Sequence, residues 1–350
     1  MKDKFTYLLG AGASIEKIPT VEGFVKGLQD FHNLTLRPFK FPDSPFEAPF
    51  NTIKLSQKEV FIEYKKNLNW LMKEAFNHSS IDTFARKLYL THNPAMLRQV
   101  KAVIDVYLTT IQLLDGIDLR YDTFFATILK GGMGQDIELP QNLKILSWNY
   151  DFQFELSASI FFRVNNSELI TNKLQIHPNL AVEKYKPNHF SIFKLNGTAS
   201  GYTYTDQVSK FQRIIYDTLK IKDKLNESEK QNLLTYLMAC YILYTSKGTD
   251  TTSTINYAWE NNHVTQSVRS YAKNETFDTK YLVVIGYSFP TFNREVDRDI
   301  LQGMTNLEKV YIQTPEKDIE GVVQRFKAIR PDIEPERITA TDEFFIPFEY

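Results

Sequence analysis

Phe5 to Leu9 is a short apolar run that stops abruptly at Gly10-Ala11-Gly12-Ala13-Ser14. That pattern predicts the strand, tight turn and helix start of a first βα unit. From about Glu22 to Lys130 the period lengthens. Phe61, Tyr64, Leu68, Leu71, Met72 and Ala75 recur at threes and fours, and Ala102 to Leu114 repeats the habit, so this region reads as helical. Within it, Arg37 to Phe50 carries four phenylalanines among its prolines and reads as an ordered loop. Gly131-Gly132-Met133-Gly134 closes the region. Strand-like runs return at Lys144 to Ser147, Ser191 to Leu195, Tyr281 to Ile285 and Lys309 to Ile312, with a helix around Gly321 to Ala328. Asp206 to Lys273 reads as mostly helical.

Short buried strands that each end in a glycine or polar turn predict an α/β fold, a doubly wound (Rossmann-like), mostly parallel sheet with large helical insertions. Ligands of such sheets bind beyond the carboxyl ends of the strands. Four turns are expected there: Gly10-Ala11-Gly12, Trp148-Asn149-Tyr150-Asp151, Asn196-Gly197 and Gly286-Tyr287-Ser288. The chain is read as one domain, with a core over about 1–25 and 140–350 and a helical insertion over about 26–135.

Composition narrows the function classes. Lysine plus arginine total 41 against 42 acidic residues, which argues against a surface built to coat nucleic acid. No stretch approaches the roughly 20 apolar residues that span a bilayer, and Met1-Lys2-Asp3-Lys4 runs straight into a strand without a signal-like apolar segment. A cytoplasmic, reducing location is expected. Cys240 is the only cysteine, so no internal disulfide and no cysteine-built zinc site is expected. It lies in an apolar helical run and reads as a buried thiol.

Taken singly, each turn has a plain structural reading. Gly10 and Gly12 let the backbone turn sharply and let a pyrophosphate approach amides at a helix start, but a βα turn alone needs glycines too. Ile18-Pro19-Thr20 interrupts the helix soon after and suggests a loop over a ligand. Asn149 and Asp151 fit an Asx-capped turn, or an amide set on a ribose or water with a carboxylate orienting it. Asn196-Gly197 fits an ordinary turn, and Gly286-x-Ser288 is a second glycine of close approach. The run Asn293-Arg294-Glu295 to Asp297-Arg298 reads as a solvated helix face. His177 and His189 read as surface loop residues.

In this order the motifs resemble the sirtuin-like (SIR2-like) superfamily. Leu9 to Ser14 with Ile18-Pro19 resembles its first glycine motif. Ser147-Trp148-Asn149-Tyr150-Asp151 resembles its Asn-x-Asp segment, in the form found in the bacterial anti-phage branch. Lys194-Leu195-Asn196-Gly197 stands where that branch has Lys-Leu-His-Gly, and Ile285 to Phe289 resembles its Gly-Tyr-Ser-Phe motif. The resemblance implies nucleotide contacts at Gly10, Ala11, Gly12, Ser14, Pro19, Gly197, Gly286, Ser288 and Gln313, and chemistry at Asn149, Asp151 and Asn196. It departs twice from the deacylases of the superfamily: one cysteine cannot build their four-cysteine zinc module, and Asn196 replaces the catalytic histidine.

What the resemblance then implies is hydrolysis of NAD to nicotinamide and ADP-ribose by a toxic defence effector in a homo-oligomer. NAD is the substrate or ligand, with no prosthetic group and no metal. A non-catalytic module binding NAD or ADP-ribose is the alternative. A third reading is a subunit of a defence complex with a ring-shaped ATPase or a phage-sensing protein. In that case the aromatic tail Phe344 to Tyr350 is a docking strand, against packing on its own core.

Overall fold

The computed structural model describes residues 3–132, 136–164, 167–178, 186–199, 201–204, 207–213, 225–246 and 251–350. The strands among them are β1 (Phe5–Leu9), β2 (Leu143–Ser147), β3 (Ile176–His177), β4 (Ser191–Lys194), β5 (Gly201–Tyr204), β6 (Gln207–Arg213), β7 (Thr251–Ser253), β8 (Tyr281–Ile285), β9 (Lys309–Gln313) and β10 (Glu336–Ile338). The helices are α1 (Phe24–Asp30), α2 (Gln57–Asn77), α3 (Ile81–Leu90), α4 (Pro94–Asp115), α5 (Leu119–Ile128), α6 (Gln153–Phe162), α7 (Ser167–Lys173), α8 (Glu227–Thr245), α9 (His263–Thr276), α10 (Arg294–Gly303) and α11 (Glu316–Lys327). Residues Met133 and Gly134 of the glycine cluster lie outside the described residues.

Two compact units result. The first comprises Met1–Glu16, Ile117–Thr198 and Asn256–Tyr350. It holds a sheet in the order β10-β9-β8-β1-β2-β4-β3, parallel at every pairing. The fold is thus the doubly wound, Rossmann-like α/β class. Its central strands β1 and β8 are almost wholly apolar and fully buried because both faces are covered. Leu8, Leu146, Leu282 and Val284 face a core shared with Val268 of α9, Ile300 and Leu301 of α10 and Val322 and Phe326 of α11. Tyr7, Leu9, Ile145 and Val283 face the opposite core, with Tyr121, Phe124 and Phe125 of α5 and Phe154 of α6. Phe344 belongs to that second core, so this part of the tail packs on its own unit.

The second unit comprises Lys17–Gly116 and Ala199–Ile255. Ser56 and Glu59 form a capping box that starts α2, and Asn226 with Glu229 starts α8 the same way. Tyr64, Leu68 and Leu71 of α2 are buried with Val103 and Tyr107 of α4 and Leu237 and Tyr241 of α8. Cys240 is buried in α8, and burial pushes its thiol well up, so it is an inert core thiol. Among the described residues no helix is long and apolar enough to cross a membrane.

Asp206 to Lys273 is helical over α8 and most of α9, but the mostly helical reading is corrected at β6 and β7, which join β5 in an antiparallel sheet in the order β6-β5-β7. β5 and β6 are neighbours in the chain, whereas β7 pairs with β5 across the whole of α8, and none of the three carries an apolar run that would announce a strand. The edge strands β3 and β10 carry too few residues for a periodic signal.

Candidate functional site

The named turns leave the parallel sheet at one level. Leu9 lies opposite both Ser147 and Ile285, and Ser147 lies opposite Lys194. The segments beginning at Gly10, Trp148, Leu195 and Gly286 therefore emerge side by side. The chain winds outward from β1 through β2 to β4 on one side and from β8 through β9 to β10 on the other, so the order reverses between β1 and β8. This is the crevice position of doubly wound sheets.

At that reversal the two glycine turns touch. Gly12 N donates to Gly286 O at 2.9 Å, Gly10 N to Ile285 O at 3.0 Å and Gly286 N to Gln313 O at 3.0 Å. A Cβ on Gly12 would sit 2.8 Å from Gly286 Cα. One on Gly286, whose φ is +58°, would overlap Gly12 C and sit 2.5 Å from Ala13 N. These glycines are thus required by the contact between the turns themselves, before any ligand arrives. Ala11 is exposed on the same turn. Behind it, the buried Arg120 of α5 donates to Ala13 O at 3.0 Å and Gly12 O at 3.4 Å, and pairs with Asp118 at 2.6 Å. The guanidinium holds these carbonyls inward.

Asn149 is 9% exposed, and its Nδ2 donates to Gly10 O at 2.8 Å, joining the second motif to the first. Its Oδ1 is left without a hydrogen bond among the described residues. Asp151 turns away from it into the interior. Asp151 Oδ2 accepts from Ser14 Oγ at 2.7 Å, and Oδ1 accepts from Gln153 N at 3.3 Å at the start of α6. With its proton committed to Asp151, Ser14 Oγ accepts from Tyr121 OH at 2.6 Å. Lys194, buried on β4, donates to Asp151 O at 2.5 Å and lies 3.6 Å from Glu155 Oε2. Burial raises the Asp151 carboxyl, and the nearby Lys194 and Ser14 oppose that rise. Asp151 and the Ser14 hydroxyl therefore brace the site from beneath.

Asn196 lies beyond β4 at the level of Asn149, 8% exposed, with its carbonyl held by Asn256 N at 2.8 Å. Its Oδ1 is buried with no hydrogen-bond partner among the described residues. Gly197 follows at φ +77° and closes the turn through its N–H to Lys194 O. Two carboxamide oxygens at neighbouring strand ends are thus available to accept from hydroxyls or water. Among the described residues no group of three or more His, Cys, Asp or Glu side chains is placed to hold a metal ion.

Other expected residues are placed differently. Ser288 is exposed, and its carbonyl accepts from Arg325 Nε at 2.6 Å. Gln313 uses its whole amide on the tail: Nε2 donates to Ala340 O and Glu343 O, and Oε1 accepts from Phe345 N. Pro19 belongs to the second unit, where it lines a cavity of about 320 Å³ with Lys17, Lys26, Asp30, Tyr107 and Asp115. His177 is not a surface residue. It is buried on β3, stacked on Phe193 and Tyr271, and burial with the nearby Lys144 lowers it to about 4, so it is neutral. His189 remains in a loop, its Nδ1 3.1 Å from Pro187 O.

Sequence reasoning missed Arg120, Lys194 and Asp297. A lysine inside an apolar strand was the available signal for Lys194. Asp297 is buried, which corrects the reading of its run as a wholly solvated face. Asn293, Asp297, Ile300 and Leu301 share one helical stripe, and that spacing could have revealed it.

No family model matches the chain, and no curated protein matches it. Among solved structures it is similar to a Sir2 variant with a deacetylated p53 peptide and 3'-O-acetyl ADP-ribose, at 12% identity and a TM-score of 0.35 over 97% of this chain and 89% of that one. It is also similar to a Sir2 complex with an inhibitor, 2'-O-acetyl-ADP-ribose and deacetylated p53 peptide. There the identity is 11% and the TM-score 0.33, over 94% of this chain and 93% of that one. The assignment to the doubly wound class rests on the sheet itself.

Proposed function

We propose that this chain binds NAD across the β1–β8 reversal and hydrolyses it to nicotinamide and ADP-ribose. What carries the reading is Asn196 Oδ1, buried without a hydrogen-bond partner among the described residues, at the strand end next to the Asn149 amide that is tied to the first glycine turn. Support also comes from the order of the motifs, which resembles the sirtuin-like defence proteins. Cleavage of the nicotinamide–ribose bond passes through an oxocarbenium-like state with a good leaving group. General-base help is typically worth about 10²–10⁴-fold, so an amide in place of a histidine slows the reaction without abolishing it. In this reading Asn149 and Asn196 accept from a ribose hydroxyl and the attacking water, while Asp151, Ser14 and Lys194 fix the loops that carry them. The protein acts as an anti-phage abortive-infection effector, in a homo-oligomer that stays silent until triggered.

The test is incubation of the pure protein with NAD and chromatography of the products, for the parent and for Asn196→Ala. Nicotinamide and ADP-ribose in equal amounts from the parent, and less from the variant, are expected. ADP-ribose binding without any nicotinamide release would replace the hydrolase with the binding module. Neither binding nor release would remove the NAD reading.

A further inference from the structure

The turns of the candidate site are linked in series. Asn149 Nδ2 bonds Gly10 O, which ties the β2 turn to the β1 turn, and Gly12 N bonds Gly286 O, which ties the β1 turn to the β8 turn. The series closes on itself through a residue outside all of these motifs. Asp297 of α10 accepts from Trp148 Nε1 at 3.0 Å and from Tyr287 OH at 2.7 Å. Trp148 precedes Asn149, and Tyr287 follows Gly286. The two rings stack at 6.1 Å, and Asn293 Nδ2 donates to Tyr287 OH at 3.0 Å. From these bonds we infer that Asp297 is a positioning residue for the ligand site: its carboxylate closes a ring of three strand-end turns and so sets the spacing between Asn149 and the β8 turn. The inference rests on the dinucleotide reading for its ligand, though not for the ring.

A carboxylate is suited to this position because both oxygens accept, and both neighbours are donors. It is 2% exposed, so the bonds are made without competition from water. Its own helix carries Arg294, Glu295, Arg298 and Asp299, and the packed α9 carries Arg269 and Lys273. None forms an ion pair with Asp297 among the described residues, and Lys273 pairs instead with Asp299. Burial therefore acts on Asp297 with only Tyr287 and Trp148 opposing it, and lifts the carboxyl to about 7. A protonated carboxyl has one accepting oxygen fewer to offer the two donors.

The experiment compares the parent with Asp297→Asn and Trp148→Phe, full chains throughout. Hydrogen exchange is followed in peptides covering residues 147–152 and 285–290, and ADP-ribose affinity is measured by calorimetry from pH 6 to 8.5. Both variants should exchange faster in those two turns while β1 and β8 stay protected. ADP-ribose binding should weaken roughly ten-fold, as loss of one charge-assisted bond implies. Parent affinity should fall as pH drops through about 7, whereas Asp297→Asn should show a flat profile at the weak level. Exchange that rises uniformly across the sheet, or turns that stay as protected as in the parent, would overturn the positioning role. If the parent binds no ADP-ribose, the dinucleotide reading fails, and the exchange data alone decide whether Asp297 holds the ring.

Discussion

Adding one methyl group to either central glycine tests how the two turns meet. On Gly12 the new Cβ stands 2.8 Å from Gly286 Cα and 3.1 Å from Gly286 O, all backbone, so no side chain can rotate out of its way. Overpacking of this kind costs about 1–3 kcal/mol. Stiffening of the unfolded chain by alanine offsets about 0.4–1 kcal/mol of that. Gly286→Ala adds a second cost, because φ is +58° there, and left-handed backbone costs an L-residue about 1–2 kcal/mol. The expected order is parent, then Gly12→Ala, then Gly286→Ala, the last losing about 2–4 kcal/mol from a domain stability of about 5–15 kcal/mol. Gly116→Ala is the control, since its φ is +77° but nothing lies within 4 Å of its Cβ, so it reports backbone strain alone. Urea unfolding read by near-ultraviolet circular dichroism measures all four proteins. If Gly12→Ala unfolds with the parent and loses only ADP-ribose affinity, the glycine is there for the ligand and the contact argument is wrong.

Two other perturbations address the packing of the first unit. His177 titrates at about 4 in the fold against about 6.5 in an unfolded chain. Below that value the unfolded state therefore binds a proton the folded state excludes. Stability should fall by as much as about 3 kcal/mol as pH drops from 6.5 to 4, and His177→Gln should flatten that part of a urea-midpoint profile. An unchanged slope in the variant would contradict the neutral core histidine. Gln313→Ala removes three bonds to the tail. It should speed proteolysis around residues 340–345 while the rest of the sheet resists, and a tail as resistant as the parent's would show that the amide is not its anchor.

The sequence by itself determined the sheet's central strands and the turns that leave their carboxyl ends. Phe5–Leu9, Leu143–Ser147, Tyr281–Ile285 and Lys309–Gln313 are largely apolar because helices cover both faces, and burial on two sides writes a near-continuous run into the chain. Their glycine and asparagine endings are equally local, since a sharp turn restricts the residues that make it. Tertiary structure alone decided what those endings do. The contact of Gly12 with Gly286 joins residues far apart in the chain. It gives the glycines a structural reason that pyrophosphate approach does not supply. Asp151 looked like a group facing the ligand, yet Ser14 and the start of α6 draw it inward. Asp297 sat in a run of charges that looked solvated, and only the placement of α10 over Trp148 and Tyr287 buries it. A polar side chain's role depends on which donors and acceptors the fold brings within about 3 Å, and that information is held by no segment alone.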